Sequence, residues 1–85
     1  MKLELRFFAS LREALGVSQE SINTPESVKT IADLRVHLAE RGLPWVEVLE
    51  GTKVLRCALN QHMVDANAPL QDGAEVAFFP PVTGG

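Results

Sequence analysis

The first residues of the chain alternate strictly between apolar and polar side chains. Leu3, Leu5 and Phe7 take one phase, and lysine, glutamate and arginine side chains take the other. A period of two predicts a β-strand with one buried face. Phe8 falls in the opposite phase, so we expect it on the outer face of this strand.

The period then changes to that of a helix. Residues 9–15 predict a short helix that carries Leu11 and Leu15 on its apolar side and ends at Gly16. Residues 18–22 predict a second strand, and we expect it to pair with the first.

The main helix is predicted over residues 31–41. Thr30 and Asp33 have the spacing of a capping box at its start, and Gly42 supplies a stop. The helical period identifies a buried stripe of Ile31, Leu34 and Leu38.

The second half of the chain predicts short elements separated by turn signals. They are a helical turn over 44–50, a strand over 54–59, a turn at Asn60-Gln61, a short strand over 62–64, a turn at Asp72-Gly73 and a last strand over 75–79. This order of elements predicts an α+β roll, in which a mixed sheet packs on one main helix.

The last strand also alternates, and its phase predicts a cluster on the outer face. If Val76 and Phe78 face the core, Phe79 points outward. The predicted outward apolar cluster consists of Phe8, Met63 and Phe79, a patch suited to binding a partner. The alternative is that loop 65–71 covers part of this cluster.

Composition narrows the class of protein. The 85 residues suffice for one domain, and 46% hydrophobic with 22% charged residues is typical of a globular chain. The net charge of -3 and pI near 5.2 argue against nucleic-acid binding, which requires a basic face. No apolar run approaches the ~18 residues of a membrane span, and the N-terminus does not resemble a signal segment. We expect a cytoplasmic protein.

Side chains with catalytic potential are few. His37 is predicted on a helix surface and His62 in a turn, neither with carboxylates at metal-ligand spacing. Cys57 falls in the apolar phase of a strand, where a buried structural thiol is expected. As the only cysteine it permits no internal disulfide, which fits a reducing compartment. The sequence therefore predicts no active site within the chain itself.

The C-terminal segment is the most distinctive feature. Pro80 and Pro81 cannot donate to a sheet ladder, so the strand stops and an extended path follows. Residues 80–85 span up to about 20 Å when extended. Gly84 and Gly85 carry no Cβ and fit a narrow channel. We expect the Gly85 carboxylate to enter the active site of another protein; the alternative is an ordinary frayed terminus.

Several segments together carry a family resemblance that extends over nearly the whole chain. They are residues 7–9, 11–16, 59–61, 69–73 and 75–85, with the sequences FFA, LREALG, LNQ, PLQDG and EVAFFPPVTGG. These segments resemble the MoaD family, the ubiquitin-like sulfur carriers that form the small subunit of molybdopterin synthase. The resemblance implies a β-grasp domain over residues 1–81 and a flexible diglycine tail over 82–85.

The resemblance also implies a chemical role for the tail. In the family, an activating enzyme uses ATP and magnesium to adenylate the terminal carboxylate, which here is that of Gly85. A sulfur donor protein then displaces AMP and leaves a thiocarboxylate. The synthase's large subunit receives the tail and transfers the sulfur to cyclic pyranopterin monophosphate, the precursor of the molybdenum cofactor. The chain itself is expected to bind no cofactor and no metal.

The resemblance assigns partner contacts as well, and it implies a heterotetramer with two copies of each subunit. The residues expected to contact partners are Phe8, Met63, Phe79, Pro80, Pro81, Val82 and Thr83, with Gly84 giving the tail access to the active site. Arg12 falls within a family motif and either pairs with a partner carboxylate or remains solvated.

Three alternatives remain open, a related carrier within the resemblance and two other classes of function. A carrier for thiazole synthesis shares the Asp-Gly, strand and Gly-Gly pattern. A ubiquitin-like modifier is also adenylated at its C-terminus but forms an isopeptide bond with a lysine. A pure interaction module needs no activation, and its tail tolerates change. A gain of about 16 Da in the intact mass of the protein purified from cells, with one oxygen replaced by sulfur, would decide for a sulfur carrier.

Overall fold

In the computed structural model, which describes residues 1–50 and 55–80, five strands form one mixed sheet. The strands are β1 (Lys2–Phe7), β2 (Gln19–Asn23), β3 (Arg56–Leu59), β4 (His62–Val64) and β5 (Glu75–Phe79). Their spatial order is β2-β1-β5-β3-β4. The second strand begins one residue later than predicted and pairs antiparallel with β1, as expected.

The two strands from the ends of the chain lie side by side in the centre of the sheet. β1 and β5 run parallel, with Phe7 opposite Phe78, whereas β3 pairs antiparallel with both β5 and β4. A parallel neighbour requires a long crossover connection. Residues 8–74 supply it, including the helices and β2 to β4. This arrangement confirms the predicted β-grasp roll.

Three helices are described: α1 (Ala9–Leu15), α2 (Ile31–Ala39) and α3 (Trp45–Glu50). The apolar phase of β1 and β5 packs against them, and the buried stripe of α2 was predicted correctly. The largest fully buried side chains are Leu3, Leu5, Phe7, Ile31, Leu34, Leu38, Leu49, Val76 and Phe78. The core therefore lies between the helices and one face of the sheet.

The capping box fixes the start of α2. The Thr30 hydroxyl accepts a hydrogen bond from the Asp33 N–H, and the Asp33 carboxylate accepts one from the Thr30 N–H, both at 3.2 Å. The Lys29 N–H also donates to Asp33 at 3.0 Å. This bond contributes most to a lowered pKa of Asp33. The residues predicted to cap the helix do so.

The C-terminal end of α2 was predicted two residues too late. The helix ends at Ala39, and the N–H groups of Arg41 and Gly42 each bond at 3.1 Å to the carbonyl three residues earlier, a tighter turn than α. Gly42 has φ +90° and closes this turn.

Arg41 joins the end of α2 to the sheet and to α3 instead of extending the helix. Its guanidinium donates to both carboxylate oxygens of Glu20 on β2, at 3.0 and 2.6 Å. The same group lies 4.4 Å from the centre of the Trp45 ring, which meets Phe7 edge-on at 5.5 Å. Because Glu20 is far from Arg41 in sequence, the helical period alone did not reveal their ion pair.

The predicted turns are present, with one correction. Asn60 and Gln61 have positive φ values of 50° and 70° and connect β3 to β4. His62 was assigned both to this turn and to the predicted strand over 62–64, and the strand is correct, since His62 is the first residue of β4. Gly73 has φ +84°, and the Asp72 carboxylate before it accepts a hydrogen bond from the Lys2 N–H at 2.6 Å.

Candidate functional site: an outer patch at the end of the central strand

Two phenylalanines stack on the sheet face opposite the helices. The rings of Phe8 and Phe79 lie 4.8 Å apart and are parallel within 6°. Both side chains are half-buried, and Met63 on β4 is 58% exposed. We call Phe8, Met63 and Phe79 the outer patch, and the structure places all three on the predicted face.

The central strand pair brings the two rings together. Phe7 and Phe78 are in register across β1 and β5, so the next residue of each parallel strand points to the opposite face. The Phe8 N–H donates to the Phe78 carbonyl at 3.2 Å and extends the pairing by one step. The stacking of Phe8 on Phe79 is a direct consequence of this register.

A shallow groove of about 250 Å³ lies at the patch. Its lining residues are Phe8, Ala9, Arg56, Met63, Phe79 and Pro80. Ala9 has φ +51°, a left-handed conformation that costs a non-glycine residue about 1–2 kcal/mol. This conformation turns the chain from β1 into α1 directly after Phe8, so the backbone strain lies beside the groove.

Loop 65–71 does not cover the patch. It contributes no lining residue to the groove and instead binds the start of α2. The Ile31 N–H donates to the Ala68 carbonyl at 3.1 Å, and the Leu70 N–H donates to the Lys29 carbonyl at 2.8 Å. The alternative in which this loop covers the cluster is therefore wrong.

Small side chains form the sheet surface beside the patch. Ala58 on β3 lies opposite Ala77 on β5 and also opposite Met63 on β4. Ala77 has the predicted outward phase, yet it is only 5% exposed, and Ala58 is 4% exposed. On central strands, neighbouring side chains on both sides cover an alanine. The side chains of the outer patch therefore project above a flat apolar surface formed by the two alanines.

Arginines border the outer patch. Arg6 lies 5.5 Å from the centre of the Phe8 ring and 3.7 Å from the Glu75 carboxylate. Arg56 is exposed and lines the groove, and within residues 1–50 and 55–80 it has no ion-pair partner. Arg12 on α1 does not line the groove; it is exposed and has no ion-pair partner within these ranges. The groove thus carries the positive charge of Arg56, although the chain is acidic.

The candidate chemical side chains lie elsewhere. His37 Nδ1 is 3.9 Å from the Glu40 carboxylate on the outer side of α2. Cys57 is 4% exposed, its thiol donates to the Val64 carbonyl at 3.7 Å, and burial raises its pKa. A thiol with a raised pKa stays protonated near neutral pH and is a poor nucleophile. The described residues contain no group of three histidine, cysteine or carboxylate side chains able to hold a metal.

Part of the predicted site lies outside the described residues. Pro80 is described and lines the groove. Pro81, Val82, Thr83, Gly84 and Gly85 are not described, and neither is the predicted boundary between domain and tail. The roles predicted for these residues remain predictions.

Sequence reasoning missed three residues around the patch, Arg6, Ala9 and Arg56. The alternation that placed Phe8 outward also places Arg6 outward, and Cys57 in the core phase of β3 leaves Arg56 on the outer face. That signal was available in the strand pattern. The positive φ of Ala9 had no sequence signal, since alanine normally avoids this conformation.

Comparison with known proteins gives consistent matches. The model of a family described as "ThiS family" matches residues 5–85. The chain is 42% identical over 83 residues to the molybdopterin synthase sulfur carrier subunit of Escherichia coli K12, covering 98% of this chain and 99% of the relative. The corresponding subunit of Haemophilus influenzae is 41% identical with the same coverage.

A solved structure matches over its full length. It is a protein–protein complex of subunits 1 and 2 of the molybdopterin-converting factor from Helicobacter pylori, with a matching chain 31% identical to this one. The TM-score is 0.67, and the match covers 100% of both chains. In the described part of the chain, no helix combines the length and apolar character needed to cross a membrane.

Proposed function

The chain belongs to the ThiS family, and from this premise we propose that it is the sulfur carrier subunit of a molybdopterin synthase. The two bacterial relatives with this name match nearly the whole chain at 41–42% identity. In this function the Gly85 carboxylate carries the sulfur, and a larger synthase subunit supplies the active site that receives it.

The position of the outer patch is the observation that carries this proposal. Phe79 ends β5, and residues 80–85 follow it directly. A partner that binds Phe8, Met63 and Phe79 therefore holds the start of the C-terminal segment at a fixed place. Holding a reactive group at a fixed point replaces a bimolecular encounter with an intramolecular step.

The first chemical step is activation of Gly85 by a separate enzyme. The carboxylate attacks the α-phosphorus of magnesium-bound ATP, pyrophosphate leaves, and an acyl adenylate forms. A carboxylate is a poor electrophile, whereas this mixed anhydride has AMP as a good leaving group. Sulfide supplied by a donor protein then attacks the carbonyl carbon, the bond to AMP breaks, and a thiocarboxylate remains on Gly85.

The second step takes place in the large subunit. The thiocarboxylate sulfur is a soft anionic nucleophile, and it attacks an electrophilic carbon of cyclic pyranopterin monophosphate, where a carbon–oxygen bond breaks and the oxygen leaves with the electron pair. Water subsequently cleaves the bond between the Gly85 carbonyl and the sulfur, so the sulfur stays on the pterin and the carboxylate is regenerated. Gly84 and Gly85 let this group pass through a narrow channel, since neither carries a Cβ.

The carrier needs at least two partners that use the same tail. A complex of two subunits in the Helicobacter pylori protein supports a large-subunit partner, and we propose a heterotetramer with two copies of each subunit. We place the reaction in the cytoplasm, where a free thiol such as that of Cys57 persists in reduced form.

Deleting Gly85 tests the proposal most directly. We expect the variant to fold and to bind the large subunit like the wild type, since the outer patch is intact. Sulfur transfer is expected to fall below detection, because the deletion shifts the reactive carbonyl by about 3.5 Å. The assay combines the activating enzyme, ATP, magnesium, a sulfide source and the large subunit. Wild-type turnover by this variant would refute the carrier function.

Intact mass spectrometry of the protein purified from cells separates the carrier from a modifier. Replacement of one oxygen by sulfur adds about 16 Da, and we expect this gain on the C-terminal residue. Isopeptide conjugates to lysines, without the thiocarboxylate, would instead identify a ubiquitin-like modifier. A large-subunit preparation that neither binds this chain nor accepts its sulfur would point to a carrier of another pathway.

A further inference from the structure

We propose that Arg56 binds a carboxylate side chain of the large subunit and is the charged anchor of the interface at the outer patch. This inference rests on the proposed function. It assigns the partner a specific chemistry, an apolar surface that covers Phe8, Met63 and Phe79 and carries an aspartate or glutamate opposite Arg56.

The sheet register places Arg56 inside the patch. Arg56 lies opposite Phe79 across β3 and β5, so the two side chains share the outer face. It also lines the groove together with Phe8 and Met63. A surface that seals the patch must therefore cover the guanidinium as well.

Within residues 1–50 and 55–80, Arg56 has no ion-pair partner. Two other arginines that lie beside aromatic rings each have one. Arg6, next to Phe8, lies 3.7 Å from the Glu75 carboxylate. Arg41, over Trp45, forms a two-point ion pair with Glu20. Among residues 1–50 and 55–80, none forms an ion pair with Arg56.

The acidic residue after β4 does not fill this role. Asp65 accepts a hydrogen bond from the Asn67 N–H at 2.8 Å within its own turn. Glu75, on the same sheet face as Arg56, is paired with Arg6. The positive charge at the groove is therefore uncompensated within the described residues, in a chain whose net charge is -3.

When a partner buries the patch, it must supply a hydrogen-bond acceptor for the Arg56 guanidinium. A guanidinium that loses water without gaining an acceptor opposes binding, whereas a carboxylate matches its planar donors with two parallel hydrogen bonds. Arginine is also enriched among the residues that dominate binding energy at interface centres. The groove thus fits an acidic side chain on an apolar surface and disfavours a basic one.

The test measures binding of full-length variants to the large subunit from the same organism. Arg56→Gln keeps a polar side chain that can still donate a hydrogen bond but removes the charge, and we expect Kd to rise about tenfold or more. Arg56→Lys keeps the charge without the planar fork, so only part of the affinity should return. Thermal melting should be unchanged, because the side chain is exposed.

Two matched controls separate a specific ion pair from loss of any positive charge. Lys2→Gln removes a charge at the far end of β1, and Lys29→Gln removes an exposed charge just before α2, away from the groove. Both should change Kd by less than about threefold. The wild-type Kd should rise with ionic strength, and Arg56→Gln should reduce this salt dependence, which a purely structural role would not do.

The two proposals fail in different ways. Tight wild-type binding with an unchanged Kd for Arg56→Gln would refute the role of Arg56 and leave the sulfur carrier function standing. Equal losses for Lys2→Gln and Arg56→Gln would also refute it, since they would indicate general electrostatic attraction. A wild-type chain that does not bind the large subunit at all would overturn both. Recovery of Arg56→Glu binding by an acidic-to-lysine change in the partner would identify the carboxylate.

Discussion

Two pairs of phenylalanines lie on the same two strands and serve opposite faces of the sheet. Phe7 and Phe78 stack on the inner face at 5.8 Å, with exposures of 1% and 0%. Phe8 and Phe79, each one residue further on, stack on the outer face at 4.8 Å and are half-buried. Residue type and stacking geometry are nearly the same, yet only the inner pair lies beneath helices.

The difference shows that burial, rather than residue type, assigns a role to an aromatic pair. The inner pair is sealed by Trp45 and the rest of the core, so its apolar area already contributes to folding. The outer pair keeps part of that area in water, where a partner can still cover it. One step along each parallel strand thus separates a core residue from a residue of the proposed interface.

The largest expected effect is on the inner pair. Phe78→Ala removes a fully buried ring, and we expect the free energy of unfolding to fall by about 3–5 kcal/mol in urea denaturation. A domain with a typical stability of about 5–15 kcal/mol would then be close to unfolding. Phe78→Leu is the control and should lose less than half as much, since most of the apolar volume remains.

Truncation of the outer pair should lower the affinity for the large subunit more than it lowers the stability of the fold. Phe79→Ala is expected to weaken binding to the large subunit by about 2 kcal/mol or more, because it removes an aromatic anchor. Its loss of stability should be smaller than that of Phe78→Ala, since Phe79 is half-buried. Isothermal calorimetry and urea denaturation of the same samples measure both quantities.

A matched control for Phe79→Ala exists on the helix side of the molecule. Leu43 is 75% exposed and lies outside the patch, so Leu43→Ala should leave affinity unchanged. Normal binding by Phe79→Ala, combined with a stability loss as large as that of Phe78→Ala, would show that the two pairs share one structural role and that the comparison fails.

The smallest expected effect concerns the inner-face thiol next to the Phe78 position. Cys57 pairs in register with Phe78, and Cys57→Ala should cost on the order of 1 kcal/mol of stability. Sulfur transfer should continue at the wild-type rate, because the thiol is buried and its raised pKa keeps it protonated. A folded Cys57→Ala protein without sulfur transfer would show that sulfur does not travel on the C-terminus alone.

Much of the fold was predictable because local patterns and tertiary packing agree. The phase of Leu3, Leu5 and Phe7 matches their burial, and Thr30 and Asp33 form the predicted capping box. The outward phase of Phe8 and Phe79 was likewise correct, since strand alternation follows from backbone geometry. The partner roles of these residues and the chemistry of Gly85 came from the family resemblance instead.

Other features depended on residues distant in the chain. The ion pair of Arg41 with Glu20, which is 21 residues away, is not encoded in the helical period of α2. The burial of Ala77 on an outward phase required β1 and β3 to lie on either side of β5. Local propensity does not report such neighbours.

The sequence by itself determined which residues point to each face of the strands, where the helices begin and where the chain must turn. These properties follow from side-chain period, capping and the conformational limits of proline and glycine, all of which act within a few residues. Only the tertiary structure decided that Phe8 meets Phe79, that Arg56 joins their groove and that loop 65–71 leaves it open. The first depends on the parallel pairing of β1 and β5, the second on the pairing of β3 with β5, and the third on hydrogen bonds between the loop and the start of α2.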